Sequence, residues 1–361
     1  MAATVGNGCG PLGKAVSPFA TLALIGAEDV PELPRPGGQH VPYGYRTADS
    51  RGRGSCVSTY ARQSAQGAQG AQTRNVALPS SLDEAVAALA ASPSAVPVAG
   101  GTDLMADVNS GLLRPGGLVG LGRINEIRGW QYADGAALLG AGLTHARMGR
   151  PDFAALIPAL AAAARAAGPP QIRNAGTLGG NIVTCAPTGD SLPVLAALEA
   201  SVLLAGPEGN RELPVSHLLT GMDPLRQGEL LAYVRVPLLH APQTFLQATA
   251  RTGPGRATAS VALVLDPARR GVRCAVGAVA QVPLRPLEAE RWVASLIDWD
   301  GQRSLAPEAC TAFGEYVAVA CIPDPLPAAD GTPAPELPPA AIQLRRTVAA
   351  LARRALGRAL A

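Results

Sequence analysis

Aromatic residues are scarce in this sequence, and neither sign of charge dominates it. Aromatics make up 4% of the 361 residues, too few for the stacking platforms that hold nucleic-acid bases. The formal net charge is only +3 and is spread thinly, with no basic face interleaved with aromatics, so no nucleic-acid partner is expected. The six cysteines, Cys9, Cys56, Cys185, Cys274, Cys310 and Cys321, sit at no spacing that suits a metal site or an iron–sulfur cluster. Scattered in this way they read as reduced thiols, and a cytoplasmic location is expected. The four histidines, His40, His145, His217 and His240, form no HxxxH pair, so no metal site is expected. No apolar run approaches the roughly 18 residues that a spanning helix needs. The stretch "KAVSPFATLALIGA" is interrupted by Ser17 and Pro18 and preceded only by Lys14, which argues against a signal peptide. No GKS or GKT follows a glycine loop, no GxSxG is present, and no Ser-His-Asp or Cys-His arrangement stands out.

What is present is a chain that can fold. Hydrophobic residues make up 48%, and the length allows two or three domains with sizeable cores. Residues 1–75 are the exception. "PRPGGQH", "RTADSRGRGS" and "AQGAQGAQ" are rich in Gly, Pro, Ser, Gln and Arg and have no periodicity, so a disordered extension is expected there. "GCGPLG", Gly8 to Gly13, matches GxGxxG, but it has no strand before it and carries Pro11 within it; it reads as chance.

Order is expected from "NVALPSSLDEAVAALAAS", where Ser81 and Glu84 form a capping-box pattern before a helix. "AVPVAG", "GLVGLG" and "AALLGAG" suit short buried strands. "DFAALIPALAAAARAAG" reads as one Ala-rich helix ending at Gly168, and "DSLPVLAALEA" as a helix with Asp190 near its start. "SVLLAG" and "ELLAYVRVP" read as strands, so the middle third alternates strand and helix as in an α/β or α+β domain. A boundary is expected near Pro242. Beyond it, "TASVALVLD", "PARRG" and "VRCAVGAVAQV" read as a hairpin, followed by helices near 286–296, 306–320 and 339–360. The last helix carries Arg345, Arg346, Arg353, Arg354 and Arg358, either a solvated basic face or a contact for an acidic partner or a neighbouring subunit.

Two glycine segments could carry chemistry: "AGGTDLM", Ala99 to Met105, directly after a strand, and "GTLGGN", Gly176 to Asn181. Glycine lets successive backbone N–H groups point into a nest and lets the chain approach a ligand closely. Thr102, Thr177 and Asn181 add donors. Neither segment contains Lys or Arg, so an anion held here is held by backbone dipoles and neutral donors, which suits a diphosphate. Both are expected to be turns between strand-like segments. Asp190 is either a helix N-cap or an acceptor for ribose or ribityl hydroxyls. From the residues alone the reading stops at a nucleotide-like cofactor, with no evident acid–base machinery.

"VAGGTDLM" followed by "RNAGTLGGNI" some 70 residues later resembles the FAD-binding medium subunit of the molybdenum hydroxylases, the family of xanthine dehydrogenase, aldehyde oxidoreductases and aerobic carbon monoxide dehydrogenase. The resemblance covers roughly residues 76–361, with "RTGPGRATASVALVLD" and "AVGAVAQVPLRPLEAE" similar to the family's C-terminal domain. It implies an α+β fold. A vanillyl-alcohol-oxidase/PCMH-type FAD-binding domain of two α/β subdomains would span 76–240, and an antiparallel sheet-and-helix domain 241–361. It implies non-covalent FAD, its diphosphate pinched by Val98, Ala99, Gly100, Gly101, Thr102, Asp103 and Leu104 and by Thr177, Gly179, Gly180 and Asn181. Thr184 and Asp190 would lie along the phosphate, ribityl and ribose portion, and Leu231 near the flavin ring. Gln247 stands where the family often has lysine, so a cation near the flavin would be missing. The resemblance also implies partners: a molybdopterin-binding large subunit and a 2Fe-2S small subunit. Electrons would pass from the clusters through FAD to NAD or another acceptor. A free-standing flavin oxidoreductase and a flavin-free assembly subunit are the alternatives.

Overall fold

The computed structural model describes residues 75–250, 256–325 and 336–361. The readings of residues 1–74, including "GCGPLG", lie outside the described residues.

The described chain begins with β1 (Asn75–Ala77), α1 (Leu82–Ala91), β2 (Ala95–Val98), α2 (Leu104–Asn109) and β3 (Gly117–Gly120). The three strands form a small parallel sheet in the order β1-β3-β2. Leu89 and Val119 lie in the core beside it. Ser81 caps α1 by accepting from the Glu84 N–H at 3.2 Å. The reciprocal arm falls one residue earlier than the capping-box pattern predicts, because the Glu84 carboxylate accepts from the Ser80 N–H at 2.7 Å.

A second sheet takes β4 (Trp130–Ala133), β5 (Ala136–Gly140), β6 (Ser201–Ala205), β7 (Arg211–Pro214) and β8 (Leu230–Pro237). Its order is β4-β5-β8-β6-β7, and every pair is antiparallel. Between β5 and β6 runs a series of short helices, α3 (His145–Met148), α4 (Pro151–Ala154), α5 (Pro158–Ala166), α6 (Pro170–Ala175), α7 (Leu178–Thr184) and α8 (Ser191–Ala197), and α9 (Val215–Thr220) lies between β7 and β8. The single helix expected over "DFAALIPALAAAARAAG" is therefore two. Pro158 has no N–H to continue α4, and its fixed φ suits the first position of α5.

The last sheet, β9 (Gln243–Thr249), β10 (Ala257–Asp266) and β11 (Gly271–Gly277), is antiparallel in the order β11-β10-β9. On β10, Val261, Leu263 and Leu265 pack into a core shared with α10 (Leu287–Leu296), α11 (Pro307–Cys321) and α12 (Pro339–Leu360). Ala262 and Val264 face the other way, into the core that holds Leu160 and Val194. Burial on both faces explains the unbroken apolar run of β10. The packing thus runs straight across Pro242.

Ion pairs cross the same junction. Glu199 meets Arg273 at 3.2 Å and Arg285 at 2.9 Å; Arg273 in turn holds Asp266, and Arg285 holds Glu290. On α12, Arg346, Arg353, Arg354 and Arg358 are exposed, while Val348, Leu351 and Leu356 are buried. Arg345 instead turns to Asp324, at 2.8 Å. Among the described residues no helix is long and apolar enough to cross a membrane.

Candidate functional site

A cavity of about 530 Å³ is lined by the end of β2, the first glycine segment, α3, α6, α7 and β8. Its size falls within the range of small-molecule and cofactor sites, roughly 300–1,000 Å³. The structure brings all the sequence-predicted residues to its wall: Val98 through Leu104, Thr177, Gly179, Gly180, Asn181, Thr184, Asp190 and Leu231.

The two glycine segments reach that wall differently. The first leaves β2, turns at Gly101 with φ +68°, and enters α2. The backbone N–H groups of Gly100, Gly101, Thr102 and Asp103 donate to no described residue. Asp103 sits before α2 without capping it, and its carboxylate accepts from the Thr102 hydroxyl at 3.0 Å.

The second segment is not a turn between strands, as expected, but the first turn of α7, preceded by α6. The Thr177 N–H donates to no described residue, but the N–H groups after it are taken. Leu178 donates to the Leu143 carbonyl at 2.9 Å, Gly179 to that of Ala141 at 2.8 Å, and Asn181 to that of Thr177 at 3.0 Å. Gly180 donates to the Thr177 hydroxyl at 3.1 Å.

Two of the glycines are needed for a different reason from the one expected. A Cβ on Gly100 would lie 1.9 Å from the Ala175 carbonyl oxygen, and one on Gly179 would lie 2.6 Å from the Ala141 Cβ. At both positions the missing side chain faces protein, letting the two segments and the exit of β5 close upon one another.

Asp190 occupies the N-cap position of α8 but makes no capping bond. Its Oδ1 is buried with no hydrogen-bond partner among the described residues. Burial pushes its carboxyl up to about 7. Asn181 Oδ1 accepts from the Ser191 hydroxyl at 2.5 Å. Leu231 is 3% exposed on β8 and supplies an apolar surface.

Gln247 lies on β9 opposite Ser260 and is not part of the cavity wall. Arg256, just before β10, is. It is the one permanent cation among the described lining residues, which also include Asp103, Asp107 and Asp190; the fourth lining acid, Glu229, is already paired with Arg211 at 2.6 Å. His145 also lines the cavity. Sequence reasoning missed both Arg256 and His145. For His145 the available signal was its place just after Thr144, which caps α3 behind a glycine-bounded strand. No cluster that could hold a metal ion occurs among the described residues.

Residues 71–239 match a family model described as the FAD-binding domain in molybdopterin dehydrogenase. The glyceraldehyde dehydrogenase medium chain of Sulfolobus acidocaldarius is 30% identical over 220 residues, covering 58% of this chain and 77% of that one. The carbon monoxide dehydrogenase medium chain of Afipia carboxidovorans is 31% identical over 219 residues, covering 59% of this chain and 75% of that one. Among solved structures, carbon monoxide dehydrogenase from Hydrogenophaga pseudoflava superposes with a TM-score of 0.64 and 27% identity, over 80% of this chain and 98% of that chain. A mixed helix-and-sheet FAD-binding fold of the PCMH type, with a class of redox enzyme subunits behind it, is thereby defined. The chain belongs to the family of FAD-binding medium subunits of molybdopterin-dependent dehydrogenases, and is a subunit of an oxidoreductase.

Proposed function

We propose that this chain is the FAD-carrying electron-transfer subunit of a molybdenum hydroxylase complex, passing electrons from 2Fe-2S clusters on a small partner subunit to NAD or another acceptor. A molybdopterin-binding large subunit would carry the substrate chemistry, and the complex would be cytoplasmic. One observation carries the reading. Two glycine segments distant in sequence meet at one cavity, whose wall carries backbone N–H groups and an Asp190 carboxyl oxygen that have no partner among the described residues.

The residues present fit FAD. The N–H groups of Gly100 to Asp103 offer donors to a diphosphate without a bound cation, beside the Thr102 hydroxyl that holds the Asp103 carboxylate. Asp190 offers the orphaned oxygen as an acceptor for a ribityl or ribose hydroxyl. Leu231 offers an apolar surface to an aromatic ring. Thr177, Gly179, Gly180, Asn181 and Thr184 form a small-residue wall that leaves room for the cofactor. FAD, when bound, supplies electron exchange in single or paired steps, the chemistry that matches one-electron clusters to a two-electron acceptor. In this reading residues 76–240 are the FAD domain and 241–361 a bracing domain, joined through the shared core and the Glu199 ion pairs.

The test is the visible spectrum of the full chain after incubation with FAD and gel filtration. A retained flavin band, released by acid as FAD, supports the reading. A folded, colourless protein makes it a flavin-free assembly subunit instead.

A further inference from the structure

His145 is a buried ionisable group on the cavity wall that the reading above leaves without a task. It is 5% exposed and begins α3. Its backbone N–H donates to the Gly176 carbonyl at 3.0 Å, tying it to the second glycine segment. The Asp103 carboxylate of the first segment is close enough to favour the charged imidazole, against the larger effect of burial. The imidazole thus stands where the two segments approach one another.

Its two nitrogens are in different situations. Nδ1 is shielded from solvent and has no hydrogen-bond partner among the described residues. The other edge of the ring lies beside Gly176, where an added Cβ would sit 3.1 Å from Cδ2 and 3.6 Å from Nε2. Glycine therefore leaves that edge less covered than any other residue would. Burial lowers the imidazole pKa to about 4, so the ring is neutral near pH 7 and carries one proton. A proton on Nδ1 would be buried with no acceptor, whereas a proton on Nε2 lies at the less covered edge, where a ligand can accept it. The proton therefore belongs on Nε2.

Resting on the FAD reading, we propose that His145 is a further cofactor-contacting residue: a neutral imidazole whose Nε2–H donates a hydrogen bond to the diphosphate carried by the first glycine segment. It adds a directional donor without adding a positive charge, in a wall that already holds Asp103. A histidine that merely fills space would not respond to the ligand.

The experiment measures FAD and ADP dissociation constants for the full wild-type chain, His145→Phe and His145→Gln. Alongside, the histidine ring nitrogens of the wild type are followed by 15N NMR at neutral pH. His145→Phe should weaken both ligands about tenfold. His145→Gln, whose amide keeps an N–H near the Nε2 position, should recover most of that loss. In the wild type the Nε2–H signal should shift when ADP is added. A folded His145→Phe chain that binds both ligands within about twofold of wild type overturns the inference. So does a wild-type proton on Nδ1, or an Nε2–H signal that ADP leaves unmoved, and these readouts stand even if the variant fails to fold. A wild-type chain that binds neither FAD nor ADP instead sinks the FAD reading itself.

Discussion

Gly100 to Asp103 keep four backbone N–H groups without an acceptor among the described residues, whereas Leu178 to Asn181 commit all four of theirs inside the protein. Both segments are small, glycine-rich and on the same cavity wall. The first is a turn between β2 and α2, so its amides point away from any ladder. The second opens a helix whose first N–H groups are met by Leu143, Ala141 and Thr177. One segment is built to receive a ligand, the other to hold the receiving surface in place.

The largest effect that would break this contrast is expected at Gly179. Any Cβ there strikes Ala141, so Gly179→Val should destabilise the ligand-free chain by about 4 kcal/mol, measured by urea unfolding. If stability is unchanged and only FAD binding falls, the second segment is a ligand site after all.

Asp190 comes next. Its folded pKa of about 7 lies above the ordinary 3.8, so the folded state holds the proton more tightly. The stability it contributes is fully present below about pH 4 and is lost as the pH rises through about 7. The loss should be on the order of 4 kcal/mol. Asp190→Asn should flatten that profile in thermal unfolding between pH 4 and 8 while weakening FAD. An unchanged pH profile would mean that the carboxyl is solvated.

Arg256→Gln should weaken FAD several-fold and reduce the salt dependence of binding, as loss of the lining cation requires. Equal salt dependence in both chains would remove Arg256 from the site. Smallest of all, Thr102→Ala should cost about threefold in FAD affinity with no change in the melting temperature of the ligand-free chain. A drop in that melting temperature would give Thr102 a structural role like that of Thr177.

The sequence made much of this legible, for local reasons. Glycine-bounded apolar runs marked β2, β3 and β5, and the doubly buried run marked β10. The break at Pro158 was passed over in reading one helix there, although its cause is local, since proline cannot continue the preceding helix. The helix that begins at Leu178 was not. Gly179 and Gly180 disfavour helix, and only the distant carbonyls of Ala141 and Leu143, with the Thr177 cap, hold it. The same holds for His145 and Arg256, which reach the cavity through tertiary convergence and sit in no motif of their own. Gln247, conspicuous by its place in the chain, lies off the cavity wall, on β9 paired with Ser260.

The most direct test follows backbone amide hydrogen exchange across residues 99–105 and 178–182 in the full chain, with and without FAD. FAD should slow exchange strongly in the first stretch, while the second is already protected before FAD is added. A chain that holds FAD with no added protection at Gly100 to Asp103 would contradict that contrast.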